Sequence, residues 1–249
     1  MVAIRAAFDA SKDDPGGITV VAGYIGDADE WRQVEEKWKL RLALRKLRTF
    51  HLVEVMNELG AKAGLECADE FANIISASNL RAVTACMRDT DWALLDKDSA
   101  YRQIYPERQH ACLGMLLSVL AEEAQLEFKG EPIAVVFDND YGNVAKAAVV
   151  YEAWRERTGH AGFPTIAFMK DQLEWDVVPL QCADLLAWLL RRDPFSAEML
   201  KAEAERSTSW PTSPTLTFHK VFTSGRGAMW SLALAREVEE TLRKRRESV

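Results

Sequence analysis

The sequence predicts an α/β protein, in which a mixed five-stranded sheet is flanked by helices and followed by a helical C-terminal appendage. Residues 133–137 are five consecutive apolar residues, which is typical of a strand buried on both faces, and Asp138 follows them directly. Two apolar segments, residues 2–9 and 18–25, are separated by a polar loop with two glycines, which predicts an antiparallel hairpin. Apolar residues at helical spacing connect and follow these segments.

The first half of the chain supplies three strands and their connecting helices. Asp9 ends the first strand of the hairpin, and Asp27 or Asp29 can cap a helix over about 30–46. A further helix is predicted over 66–77 and a strand over 80–87, which is rich in apolar residues. In the first of these helices, three apolar residues at helical spacing are expected in the core: Trp31, Val34 and Trp38.

The second half supplies the two remaining strands. Residues 101–128 have the length and periodicity of one long buried helix, which ends at a Lys-Gly stop signal. After the strand at 133–138, Asn143 is expected to cap a helix over about 144–157, and residues 164–169 read as a short strand.

An apolar helix that starts near Pro179 follows, with Asp184 as its one carboxylate among apolar neighbours. Burying an unpaired carboxylate is costly, so Asp184 should have a metal ion, a cation or several hydrogen-bond donors as a partner. A last helix near 227–246 ends in a run of four basic residues at 243–246. Such a run is typical of a solvated helix end, and contact with phosphates is the alternative.

Without a long linker or an internal repeat, the chain is expected to form one domain. Residues 1–194 make up the α/β body, and residues 195–249 form a helical extension packed on it. The N-terminus lacks a signal-peptide layout and no apolar run has the length of a membrane span, so we expect a cytoplasmic protein that does not bind membranes.

Composition excludes several classes of site. The net charge of −7 has the wrong sign for a protein that coats long nucleic acids electrostatically. The four histidines show no H-x-x-x-H spacing, and the cysteines form no C-x-x-C pair, so a preformed zinc site or a small disulfide framework is not expected. We expect the four cysteines to be core residues: Cys67, Cys86, Cys112 and Cys182.

Four acids stand at positions where α/β proteins keep their chemistry. Asp9 and Asp138 end predicted strands, Glu54 lies near a predicted helix start, and Asp184 lies inside a buried helix. Carboxylate oxygens are the ligands that Mg²⁺ and Mn²⁺ prefer, and two such ions can activate a water and stabilise the leaving oxygen of a phosphodiester. Asp140, two residues after Asp138, is expected to form a turn or to contact the metal ligands without binding the metal itself.

Four segments of the sequence support a resemblance to a known family: FDAS (8–11), FHLVE (50–54), VVFDNDYG (135–142) and VPLQCADLLAW (178–188). Over roughly residues 3–192 the chain resembles the bacterial domain of unknown function 3800, a group within the RNase H-like superfamily. The last segment is the most specific of the four.

The resemblance implies an RNase H-like fold with an Asp-Glu-Asp-Asp set on the first strand, first helix, fourth strand and last helix. This set maps onto four residues, which would be both metal ligands and catalytic: Asp9, Glu54, Asp138 and Asp184. The family usually has Asp-Glu-Ser at the first strand, whereas Ala10 replaces that Glu here.

Three functions from different classes follow. The first is a metal-dependent nuclease that acts on DNA or RNA, with His51 as a proton shuttle for the leaving group. The second is a phosphatase of the haloacid-dehalogenase type, with Asp138 as nucleophile and Asp140 as acid, although Tyr141 and Gly142 follow where that family has Thr or Val. The third is a catalytically decayed RNase H-like scaffold that binds a partner.

Overall fold

The structure is a computed structural model that describes residues 4–11, 17–138, 143–158, 165–168, 177–192, 225–229 and 244. Its strands are β1 (Ile4–Ser11), β2 (Ile18–Asp27), β3 (Arg81–Arg88), β4 (Ile133–Phe137), β5 (Ile166–Phe168) and β6 (Gly225–Met229). Its helices are α1 (Ala28–Arg45), α2 (Leu52–Leu59), α3 (Ala61–Ser76), α4 (Asp89–Ala93), α5 (Ala100–Ile104), α6 (Arg108–Glu127), α7 (Asn143–Thr158) and α8 (Val178–Arg192).

The described strands form one mixed sheet in the order β5-β4-β1-β2-β3-β6. β1 pairs antiparallel with β2, as the hairpin pattern predicted, and β2 also pairs antiparallel with β3. β4 lies parallel to β1, and β5 lies parallel to β4. The α/β class and the mixed sheet, with antiparallel strands followed by parallel ones, are therefore confirmed.

A sixth strand extends the sheet beyond the five that the sequence predicted. β6 pairs parallel with β3, at the edge opposite β5. β6 overlaps the start of the helix that was predicted near 227–246. Of the remaining residues of that predicted helix, the structure describes only Lys244, which is helical. Residues 225–229 of the predicted extension thus belong to the sheet itself.

The single long helix predicted over 101–128 is instead two helices, α5 and α6. The break falls at Pro106, because a proline disfavours helical geometry in the residue before it. Tyr105 accordingly has φ −120° and ψ 82°, outside the helical region. The sequence prediction overlooked this proline.

Helices cover both faces of the sheet and create two separate cores. On one face, buried residues of α1, α2, α3 and α8 pack against the sheet. On the other face, the buried residues come from α4 to α7, and the cross-strand rings of Phe8 and Phe137 lie 5.6 Å apart. We call these the α8 face and the α6 face. The predicted core cysteines are all buried and none forms a disulfide: Cys67, Cys86, Cys112 and Cys182.

Candidate functional site

Asp9 and Asp138 lie side by side on the α8 face of the sheet. Ala7 of β1 and Val136 of β4 pack in the core of that face, and side chains two residues further along a strand point the same way. The parallel pairing continues to the end of β4, since the Asp138 N–H donates to the carbonyl of Phe8 at 3.2 Å. β1 itself continues to Ser11 through its pairing with β2, so Asp9 lies two residues before the end of this strand and does not end it as predicted. The two acids thus meet at the carboxyl ends of neighbouring parallel strands, where α/β sheets place their ligand sites.

α8 packs on β1 and β2 on this face and brings Asp184 to the same place. Only 7% of Asp184 is exposed, and its Oδ2 accepts a hydrogen bond of 3.1 Å from the backbone N–H of Leu52. Its Oδ1 lies 3.7 Å from Nε2 of His51, an ion-pair distance that is too long for a hydrogen bond. The expectation that Asp184 would need partners is met in part by the start of α2.

The three aspartates are close enough to disturb one another electrostatically. Burial, and then the charges of Asp184 and Asp138, raise the pKa of Asp9 from 3.8 to about 7, against a hydrogen bond from the Ala10 N–H. Burial also raises the pKa of Asp184 to about 7, with a further rise from Asp138 and Glu54, against the Leu52 N–H and the charge of Arg191. Asp138 is itself only 7% exposed. Carboxylates that raise one another's pKa in this way are typical of functional sites.

Glu54 lies at the rim of this group and not inside it. It sits in the first turn of α2, it is exposed, and its charge still reaches Asp184. The resemblance placed the corresponding Glu on the first helix, whereas here it lies on the second. Glu54 also lines a surface pocket of about 390 Å³ beside the turn between α1 and α2, together with Lys46, Leu47, Arg48, Thr49, Val55 and Glu58.

The carboxylates of Asp9, Asp138 and Asp184 are suitable ligands for a hard divalent cation, although they do not form a preorganised metal site. An ion of charge +2 between Asp9, Asp138 and Asp184 would offset the repulsion that, after burial, contributes to the raised pKa of Asp9 and Asp184. Yet in the part of the chain that the structure describes, no three Asp, Glu, His or Cys side chains form a group that could hold an ion as they stand. Repulsion accounts for this arrangement, because carboxylates that repel one another in the absence of a cation are expected to point apart.

Ala10, which departs from the family pattern, does not remove a carboxylate from this group. Its side chain packs against the core of the α6 face, opposite the side chain of Asp9, as alternation along a strand requires. A Glu at this position would therefore lie on the other face of the sheet from Asp138 and Asp184.

Gln181 anchors two segments next to the site through hydrogen bonds, a role that was not predicted from the sequence. It lies on α8 three residues before Asp184, and only 2% of it is exposed. Its Oε1 accepts one hydrogen bond from Nε1 of Trp38 and another from the backbone N–H of Phe50. A signal was present, since Gln181 and Asp184 share one helix face within an otherwise apolar stretch.

Asp140 lies outside the described residues, and so do Tyr141 and Gly142. The prediction that Asp140 forms a turn stays a prediction, and so does the phosphatase reading that uses it as an acid. His51 is described: it lies directly before α2, with its side chain 28% exposed and its Nε2 turned toward Asp184.

A scan of the chain against protein-family models finds no match, and a search of curated proteins finds no significant one. Among the residues whose structure is described, no helix has the length and apolar character needed to cross a membrane.

Proposed function

We propose that this chain is a divalent-metal-dependent nuclease, with an RNase H-like fold, that hydrolyses phosphodiester bonds at the carboxyl ends of β1 and β4. The observation that carries the proposal is the meeting of Asp9, Asp138 and Asp184 on one face of the sheet, where burial and then the neighbouring carboxylates raise the pKa of Asp9 and Asp184 to about 7. An antiparallel hairpin followed by parallel strands is the sheet arrangement that the resemblance implies, and it supports the fold assignment.

Mg²⁺ or Mn²⁺ would be held by the three aspartates, with Glu54 contributing from the rim. When bound, such ions supply a water activated for attack and stabilise the charge on the leaving oxygen. The chain's own part is to hold the carboxylates in a largely buried place, where their attraction for a cation is weakened less by water than at the surface.

His51 is proposed to deliver a proton to the leaving oxygen from Nε2. Its position between the buried Asp184 and solvent suits this role, because a proton donor must reach both the reacting group and water. Replacement by Asn should lower kcat by on the order of 10²-fold, with little change in Mn²⁺ affinity. An unchanged kcat in His51→Asn would remove this role.

A binding module with a decayed site is the second candidate, and two observations favour it. The described residues hold no group ready to bind an ion, and Oδ2 of Asp184 is already engaged by the Leu52 N–H at the start of α2. A purely structural Asp184 would act as a cap for that helix. Thermal denaturation separates the two candidates, because Mn²⁺ should raise the Tm of a working site and leave that of an empty scaffold unchanged.

The nuclease proposal is tested by incubating the purified protein with single- and double-stranded DNA and RNA in Mn²⁺, in Mg²⁺ and in EDTA. We expect cleavage of at least one of these substrates with metal and none with EDTA. Asp138→Asn serves as the inactive variant, and it guards against contaminating nucleases. Absence of cleavage across all four substrates in Mn²⁺, or equal cleavage by Asp138→Asn, would contradict the proposal.

A further inference from the structure

Gln181 links α8, the helix that carries Asp184, to α1 and to the segment before α2. Its buried Oε1 accepts from Nε1 of Trp38 on α1 at 2.9 Å and from the N–H of Phe50 at 3.0 Å. One amide oxygen on α8 thus joins two segments that lie more than a hundred residues away in the sequence. Buried polar atoms are costly to leave without partners, so this arrangement fixes both segments against α8.

Phe50 is held by its side chain as well as by its backbone. Its ring centroid lies 4.4 Å from that of Phe71 on α3 and 5.5 Å from that of Trp38. Two residues later, the N–H of Leu52 donates to Asp184. His51 therefore lies between two backbone groups that are anchored to the same face of α8.

The first turn of α2 follows directly from these anchors. Val55 N–H donates to the carbonyl of His51, and this bond begins the helix that presents Glu54. If the Phe50 anchor were lost, the start of α2 could shift relative to Asp184, and both His51 and Glu54 would shift with it. Residues behind a metal site that orient its ligands commonly change metal affinity by about 10- to 100-fold when replaced.

We infer that Gln181 is a positioning residue of the metal site, which sets the distance between the start of α2 and Asp184 through the Phe50 backbone. The inference rests on the proposed function, because it presumes that Asp184 binds an ion. Gln181 itself touches neither the ion nor the substrate in this account.

The test compares three variants of the full-length protein. Gln181→Met keeps the length of the side chain and removes the acceptor, whereas Gln181→Glu keeps an acceptor oxygen at the same place. Gln109→Met is the matched control, since Gln109 is an equally buried glutamine, 2% exposed, on α6 and hence on the opposite face of the sheet. Should Gln181→Met fail to fold, Gln181→Asn withdraws the acceptor by one methylene and takes its place.

Two measurements are made on each variant, below its unfolding temperature. The first is the hydrogen exchange of the Phe50 and Leu52 amides without metal, which we expect to speed up by about tenfold or more in Gln181→Met and to stay unchanged in Gln109→Met. The second is calorimetric titration with Mn²⁺, in which the Kd should rise by about tenfold in Gln181→Met and return near the original value in Gln181→Glu.

The outcomes separate the two proposals. Binding of Mn²⁺ by the unsubstituted protein together with an unchanged Kd in Gln181→Met would overturn the role of Gln181 and leave the proposed function standing. An equal loss of affinity in Gln109→Met would also overturn it, since the effect would then be one of general stability. Failure of the unsubstituted protein to bind Mn²⁺ would overturn the proposed function and the role of Gln181 with it.

Discussion

On the α6 face of the sheet, the fully buried carboxylate of Glu123 lies against the guanidinium of Arg81, so a cation of the same chain balances its charge. On the α8 face, Asp9 and Asp184 lie instead near other carboxylates, and their pKa values rise to about 7. Both faces belong to one sheet and have similar apolar cores.

The difference separates a structural acid from a candidate functional one. A buried carboxylate is tolerated when a nearby cation compensates for its loss of hydration, as Arg81 does for Glu123. Where several acids lie close together instead, their mutual repulsion lowers the free energy of unfolding. A cation that binds between them raises it again.

Asp138→Asn should have the largest effect, because it removes a carboxylate from the centre of the acidic group. Metal-dependent cleavage should fall by on the order of 10³-fold, which corresponds to about 4 kcal/mol of transition-state stabilisation. The measurement is kcat/KM in Mn²⁺, with Asp98→Asn as a control because Asp98 is an exposed acid far along the chain from the site. Comparable losses in both variants would contradict a specific role of the acidic group in cleavage.

Arg81→Met should destabilise the α6 face by about 3 kcal/mol, since it leaves Glu123 buried without its main cation. Urea denaturation with and without Mn²⁺ measures the effect. We expect Mn²⁺ to stabilise this variant no more than it stabilises the unsubstituted protein, because Glu123 belongs to the other face. A loss below about 0.5 kcal/mol would show that the ion pair does not compensate for burial as proposed.

The metal-free protein should lose stability as the pH rises from about 4 to about 7. The pKa of Asp9 and Asp184 is near 3.8 in the unfolded chain and about 7 in the fold, so between these values the folded state binds more protons. Each group then lowers the free energy of unfolding by at most about 1.4 kcal/mol per pH unit, and the decline ends above about pH 7.

This pH dependence is measured by urea denaturation in EDTA. Asp9→Asn should flatten the curve, because it removes one of the two groups whose pKa is raised in the fold. A stability that rises with pH over this range, or a curve that Asp9→Asn leaves unaltered, would contradict the electrostatic description of the α8 face.

Glu54→Gln should have the smallest effect, about a tenfold loss of kcat/KM or less, because Glu54 is exposed at the rim. It is measured beside Asp138→Asn under the same Mn²⁺ concentration. A loss as large as that of Asp138→Asn would place Glu54 at the centre of the site, as the resemblance expected.

Local sequence patterns were sufficient for most of the sheet and for three of the four acids. Runs of apolar residues identify β1 to β5, and Asp9 and Asp138 stand out because each directly follows the apolar run of its strand. Asp184 stood out because a lone carboxylate in an apolar helix requires a partner. None of these inferences required knowledge of distant contacts.

The parts that the sequence did not reveal depend on contacts between distant segments. β6 has the sequence GRGAM, which lacks β-branched residues and is held as a strand by its pairing with β3. Likewise, nothing near Gln181 in the chain indicates that its partners are Trp38 and Phe50. Which acid lies at the centre and which at the rim is also a property of the packing of α2 and not of its sequence.

The central claim is that the three aspartates on the α8 face share a divalent cation. The most direct measurement is anomalous diffraction from crystals soaked in Mn²⁺. We predict Mn²⁺ bound between Asp9, Asp138 and Asp184, with its occupancy abolished in Asp138→Asn. A well-ordered site that remains free of Mn²⁺ at saturating concentration, with the carboxylates pointing apart, would contradict the account.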